Sequence, residues 1–217
     1  MSIEGKELVF SRAVMDRYKA ASKMLYKVYC ADPFEIRTAC EVGVGPLSFM
    51  VPYVGLAQKM ILIEPHHDIV QHTKTYMPPD FVHQAAVAHK ECRLNFRDNG
   101  SNGTGFLSML DWAPWKGRRG VLRNRYRVDC YPFSHWDDGS IDLINIDCEG
   151  SEHFVISNMV SRPVLICIEI EESSPNAKYM LDWLDKEGYK QEVYSDTAAW
   201  ITPRGGGVMS FYRRQKK

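Results

Sequence analysis

Three short segments carry almost nothing but apolar side chains: Met60 to Ile63, Ile141 to Ile146 and Val164 to Ile170. A strand buried on both faces has this pattern, because neither set of alternating side chains meets water. Between such runs the spacing turns helical. Met15, Tyr18, Ala21, Leu25 and Val28 share one side of a helix over 12–29. Further helices are expected at 47–58, 68–77, 151–160 and 176–187, the second stopped by Pro78-Pro79 and the last closed by Gly188. Strands are expected at 38–43, 60–64, 81–88, 141–146 and 164–170, with two or three more near 190–194, 198–202 and 208–213. Strands alternating with helices predict an α/β fold, a mostly parallel sheet covered on both faces. Ligands of such sheets sit beyond the carboxyl ends of the strands, where strand order reverses.

Composition narrows the class further. The 217 residues hold 27 Lys+Arg against 27 Asp+Glu, a balance that excludes functions resting on bulk basicity, such as coating duplex DNA or an anionic membrane. No apolar run approaches the ~20 residues that span a bilayer, and the opening Met-Ser-Ile-Glu-Gly-Lys-Glu has no signal-peptide pattern. The six cysteines form no CxxC pair, which suits neither a zinc module nor a disulfide framework. The expectation is a soluble, cytoplasmic, single-domain protein over 1–217, with a leading helical segment at 1–37. One segment breaks the alternation. Residues 98–127 are rich in Gly, Trp and Arg without a clear period, and are read as a substrate lid or, more plainly, as an inserted loop.

Glu41-Val42-Gly43-Val44-Gly45-Pro46-Leu47-Ser48 stands between the first expected strand and its helix. A glycine-rich turn there lets backbone approach a nucleotide-like ligand. Glu64 closes the second strand about twenty residues after Gly43, the offset at which an acid reaches ribose hydroxyls. A pyrophosphate over the turn would meet the charge of Glu41, and Pro46 at the first helical position would withhold one N–H. Both features favour a nucleoside with a cationic tail. S-adenosylmethionine is such a ligand, its ammonium facing Glu41 and its ribose diol facing Glu64. The plainer alternative leaves Glu41 as a strand end and the glycines as a tight turn.

The Glu-x-Gly-x-Gly turn, the acid after the second strand and the β/α order resemble the class I methyltransferases. More narrowly, Ile141-Asp-Leu-Ile-Asn-Ile-Asp147-Cys-Glu149-Gly150-Ser-Glu152 is similar to the signature segment of the FkbM-type methyltransferases, as are Glu64-Pro65, Gln84-Ala85-Ala86-Val87 and Glu169. The resemblance covers about 38–190. It implies a Rossmann-like fold with a mostly parallel seven-stranded sheet, helices on both faces and an antiparallel C-terminal strand. It also implies an S-adenosylmethionine-dependent O-methyltransferase. By position, Glu41, Gly43, Gly45, Leu47 and Ser48 would hold the methionine end, Glu64 the ribose, and Gln84, Ala85 and Ala86 the adenine. Asp147 would face both the methionine moiety and the transfer site. The chain departs from the family in reading Tyr131-Pro132-Phe133 where a Leu-Asp pair is common, and in 105–127, which matches no family pattern.

Methyl transfer to a hydroxyl needs alignment and removal of a proton that an alcohol gives up reluctantly. Asp147, Glu149 and Glu169 follow two strands expected to be neighbours. Either one of them is the base, or several hold Mg²⁺ or Ca²⁺ through oxygen ligands. His153 is a second candidate base. The competing reading of Glu149 and Glu152 is that they favour the positive end of the following helix. His66, His67, His72 and Asp68 suit a solvated helix face better than a metal site, and Cys40, Cys148 and Cys167 suit the core. Trp112, Trp115 and Trp136 would stack on a sugar ring or simply pack a long loop.

The expected acceptor is a sugar or glycan hydroxyl, with a non-sugar small molecule, a non-catalytic nucleotide-binding module and a nicotinamide-dependent oxidoreductase as alternatives. Charge is unevenly spread: Lys116, Arg118, Arg119, Arg123, Arg125 and Arg127 occupy a stretch without acids, and Arg213, Arg214, Lys216 and Lys217 follow much later. Either the stretch attracts an anionic acceptor, or it is an exposed basic loop without a partner.

Overall fold

The computed structural model describes residues 12–98, 105–107, 124–171, 174–192 and 208–215. Helix α1 (Arg12–Ala31) leads into β1 (Ile36–Val42), β2 (Ala57–Glu64), α2 (His67–Thr73) and β3 (Val82–Gln84). A second group follows: β4 (Ala86–Val87), β5 (Cys92–Asp98), β6 (Gly105–Leu107) and β7 (Asn124–Tyr131). Then come β8 (Ile141–Ile146), α3 (Glu152–Ser157), β9 (Leu165–Ile170), α4 (Ala177–Lys186), β10 (Tyr189–Glu192) and β11 (Val208–Arg214).

The main sheet has seven strands in the order β10-β11-β9-β8-β1-β2-β3. Its members from β9 to β3 run parallel, whereas β11 is antiparallel to both β9 and β10. Side chains alternate cleanly between two cores. Met60, Leu62, Leu143, Leu165, Cys167 and Phe211 face α1 and α2, packing on Leu25, Val28, Ile69 and Val70. Ile61, Ile63, Ile144, Ile146, Ile166 and Ile168 face the other way, onto Val155 and Ile156 of α3 and Met180 and Leu184 of α4. The near-continuous apolar runs therefore do mark strands with helices on both faces.

A smaller sheet, β4-β7-β5-β6, stands beside the main one. The expected strand at 81–88 is split between the two sheets at Ala85. Strands β5 and β7 were hidden within and before the segment read as a lid. They pair from Cys92↔Cys130 to Asp98↔Asn124, with Phe96 and Val128 turned into a small core. The rest of 98–127, the expected strand at 198–202 and Lys216 and Lys217 lie outside the described residues.

The helix expected at 47–58 does not form. Turns and one 3₁₀ turn at Val51–Tyr53 take its place before β2 begins at Ala57. Pro46 and Pro52 lack N–H donors, Gly55 adopts φ 84°, and the Phe49 amide donates to a carboxylate instead of a carbonyl one turn back. The helices expected at 68–77 and 151–160 shorten to Thr73 and Ser157 respectively.

Candidate active site

Strand β1 pairs with β2 on one side and β8 on the other. The chain thus leaves β1 first toward one edge and later returns to the opposite side, which is a switch point of strand order. The loops after Val42, Glu64, Gln84 and Ile146 all open at this end. They line a cleft at the carboxyl end of the sheet, where ligands of such sheets bind. Gly43, Gly45, Glu64, Ala85, Ala86, Asp147 and Glu149 line it, together with Tyr18, Phe96 and Ser151.

The glycines are explained by close approach. Gly43 sits at φ 83°, and a Cβ there would fall 1.8 Å from the carbonyl oxygen of Asp147. The two loops are held together by the Gly43 amide donating to Ile63 and the Asp147 amide donating to Val42, each at 2.9 Å. Gly45, at φ 60°, lies beneath the Tyr18 ring, where a Cβ would come within 2.6 Å of Cε1 and Oη.

Both carboxylates singled out near the turn are buried and engaged. Glu64 accepts N–H bonds from Val44 (2.9 Å), Gly45 (3.3 Å) and His66 (2.8 Å). A carboxylate has about four lone-pair sites, so capacity remains for a hydroxyl donor from the cleft. Burial raises its pKa to about 7 against the pull of those three bonds. Glu41 has no exposed surface. It accepts from Ser48 Oγ, the Phe49 amide (3.0 Å) and Asn145 Nδ2 (3.1 Å), and burial lifts it to about 8. Glu41 and Ser48 thus fix the turn from within, and neither they nor Leu47 line the cleft.

The signature loop after β8 is a second rigid piece. Glu149 has φ 52°, the one positive value at a non-glycine among the described residues. Such strain persists only where the surroundings impose it. Glu152 imposes it from below, its Oε1 accepting the amides of Cys148 and Gly150 at 3.0 Å each, with burial raising its pKa to about 7. Asp147 and Glu169, on adjacent strand ends, are hydrogen-bonded. Burial raises both carboxyls, and the Asp147 charge adds to the rise at Glu169. Glu169 does not line the cleft.

Other expected residues are placed elsewhere. Gln84 is exposed, within 3.3 Å of His67 Nδ1. His153 packs against Phe154 with ring centroids 3.8 Å apart, and burial lowers its pKa. Among the described residues no group of three or more His, Cys, Asp or Glu is arranged to hold a metal ion. Trp136 packs edge-on against Tyr131 and His135, whereas Trp112 and Trp115 lie outside the described residues. All six cysteines are free, with Cys40 and Cys167 in the core. Several cleft residues escaped the sequence reading, among them Ser151, Cys148 (read as a core residue), Phe96 and Tyr18. Phe96 is betrayed only by the alternation of β5, and Tyr18 sits on a helix outside the motif region.

Fold and site together define a class I methyltransferase. The FkbM methyltransferase domain matches residues 44–190, more than half of the chain, and the protein belongs to that family. It is an S-adenosylmethionine-dependent methyltransferase. The residues present fit that cofactor: the glycine turn, Glu64, Asp147 and Glu149 line one cleft, and its acids suit a cation. No curated protein sequence matches the chain. Among solved structures it is similar to the sugar N-methyltransferase KedS8 of Streptoalloteichus, at 11% identity and a TM-score of 0.49 over 100% of this chain and 97% of that one. It is also similar to precorrin-6y C5,15-methyltransferase of Geobacter metallireducens, at 10% identity and 0.47 over 96% and 95%. Another is M. jannaschii TYW2 in complex with AdoMet, at 10% identity and 0.45 over 99% and 90%. No helix among the described residues is long and apolar enough to cross a membrane.

Proposed function

We propose that the protein is an O-methyltransferase whose acceptor is a hydroxyl of a sugar or glycan. The observation that carries this reading is the Asp147–Glu169 pair at the end of the cleft. S-adenosylmethionine, when bound, supplies a sulfonium methyl group open to in-line attack. The backbone at Gly43 and Gly45 approaches its methionine end, Glu64 accepts from its ribose hydroxyls, and Ala85, Ala86 and Phe96 form the apolar wall for its adenine. Glu41 and Ser48 act through the turn they brace.

An alcohol must lose a proton as its oxygen takes the methyl group, and Asp147 is suited to receive it. Burial raises the Asp147 carboxyl, which makes it a stronger base than an exposed carboxylate, and the hydrogen bond with Glu169 opposes part of that rise. Glu149 also lines the cleft and would orient the acceptor hydroxyl. A general base is preferred to a divalent cation because Asp147 and Glu169 are hydrogen-bonded to each other. The basic stretch at 116–127 would attract an anionic acceptor, such as a phosphorylated sugar, to a cleft whose own lining is acidic.

Incubation with methyl-labelled S-adenosylmethionine and the host glycan fraction tests the reading. Label is expected in an O-methyl sugar after acid hydrolysis. Label found solely in nucleic acid, protein or a non-sugar metabolite would refute the sugar assignment. Asp147→Asn should lower turnover by about 10²- to 10⁴-fold, and undiminished activity would place the base elsewhere.

A further inference from the structure

We infer that Tyr18, on the leading helix and outside the family-matched residues, is a cofactor-binding residue whose hydroxyl donates to the carboxylate of the methionine end of S-adenosylmethionine. The inference rests on the cofactor assignment above. Three observations lead to it.

The first is position. Tyr18 lines the same cleft as Gly43, Glu64 and Asp147, with its ring and Oη directly over Gly45. The second is fixity. The ring packs edge-on against Phe49, with centroids 5.7 Å apart, and the Phe49 amide is bound by Glu41 at 3.0 Å. Its helix is seated in the core by Ala21, Leu25 and Val28. The hydroxyl is therefore delivered to the glycine turn by a rigid element, as a preorganised contact requires.

The third is charge. The methionine end carries an ammonium, a neighbouring sulfonium and one carboxylate. The acidic lining of the cleft suits the two cations. No Lys, Arg or His lines the cleft among the described residues, so the donors present there for a carboxylate are neutral. Tyr18 is one that cannot be lost by ionisation. Burial first, then the charges of Asp147, Glu149, Glu64 and Glu169, hold its proton on the oxygen well beyond the usual phenol range. An O–H among acids is repelled by none of them and still serves an anion.

The test compares S-adenosylmethionine with decarboxylated S-adenosylmethionine, titrated calorimetrically into the full chain and into Tyr18→Phe, which keeps the ring over Gly45. The phenylalanine variant is expected to bind S-adenosylmethionine about tenfold more weakly, or about 1.4 kcal/mol, and to bind the decarboxylated ligand as the unaltered protein does. Equal weakening toward both ligands would mean that Tyr18 only packs, and would overturn the inference. So would unchanged affinity for both. If the unaltered protein binds neither ligand, the cofactor reading itself fails and carries the inference with it. A thermal midpoint for the variant within a degree or two of the original confirms that the fold is retained.

Discussion

Gly43 has no room for a side chain and Gly55 has ample room, although both adopt nearly the same backbone conformation. Their φ values are 83° and 84°, but a Cβ at Gly55 meets nothing within 4 Å. Gly55→Ala should therefore cost only the left-handed strain, about 1–2 kcal/mol. Gly43→Ala adds collision with the Asp147 carbonyl, which side-chain movement cannot relieve, and should cost about 3 kcal/mol or more. Urea unfolding of both variants separates strain from collision. The buried glutamates give a second test. Glu64 and Glu152 titrate near 7 and Glu41 near 8 in the fold, against about 4.5 when exposed. Each binds its proton more firmly folded than unfolded. Their contribution is whole below about pH 4.5 and is lost as pH rises through 7 to 8. The unfolding midpoint of the cofactor-free protein should fall between pH 5.5 and 8. Glu152→Gln keeps an oxygen for the Cys148 and Gly150 amides and should fall less. At this scale the motif residues were legible because loop spacing after strands reports on ligand contact. The inward turn of Glu41 was not, since a strand-end acid can face the cleft or brace the turn with the same spacing. Nor was Tyr18, because helical periodicity says which face is buried but not what lies under it.

Arg213 shows how elements are tied together away from the cleft. It ends the sequence pattern as one of several late basic residues, yet it is only 7% exposed. From β11 its guanidinium donates to the carbonyls of Val28 and Asp32 at 2.9 Å each and to Glu192 at 2.5 Å. It thus closes the carboxyl end of α1, where a cation is favourable, and clamps β10. Arg213→Ala leaves a half-buried carboxylate and two helix-end carbonyls without that donor and should cost about 3–5 kcal/mol. Arg214→Ala, beside it and more exposed, should stay within about 0.5 kcal/mol. Denaturant midpoints decide between them. Element by element, the buried strands were readable because both of their faces are apolar. The helix at 47–58 failed because its periodicity competed with two prolines and a carboxylate that captures the Phe49 amide. Strands β5 and β7 were readable in principle. Arg93-Leu94-Asn95-Phe96-Arg97 and Arg125-Tyr126-Arg127-Val128 alternate at period two, but the surrounding glycines and tryptophans obscured the signal.

For the whole molecule, zero net charge conceals a division of labour. Acids line the cleft, while the basic stretch at 116–127 runs from the segment after β6 into β7. A cationic ligand entering the cleft should lower the pKa of Glu64 and expel part of its proton. S-adenosylmethionine affinity should then rise severalfold from pH 6 to 8, and its binding enthalpy at pH 7 should depend on the ionisation enthalpy of the buffer. A pH-independent affinity would contradict this coupling. The strand order has another consequence, in the timing of assembly. Strand β11 lies between β9 and β10 but is made after both. While a ribosome is still extending the chain past β10, the flank of Leu165–Ile170 that β11 will cover has no partner and is open to another chain. The seven-stranded sheet is therefore completed only when residues 208–214 become available, and until then the open flank of β9 is where strand addition by another chain would begin.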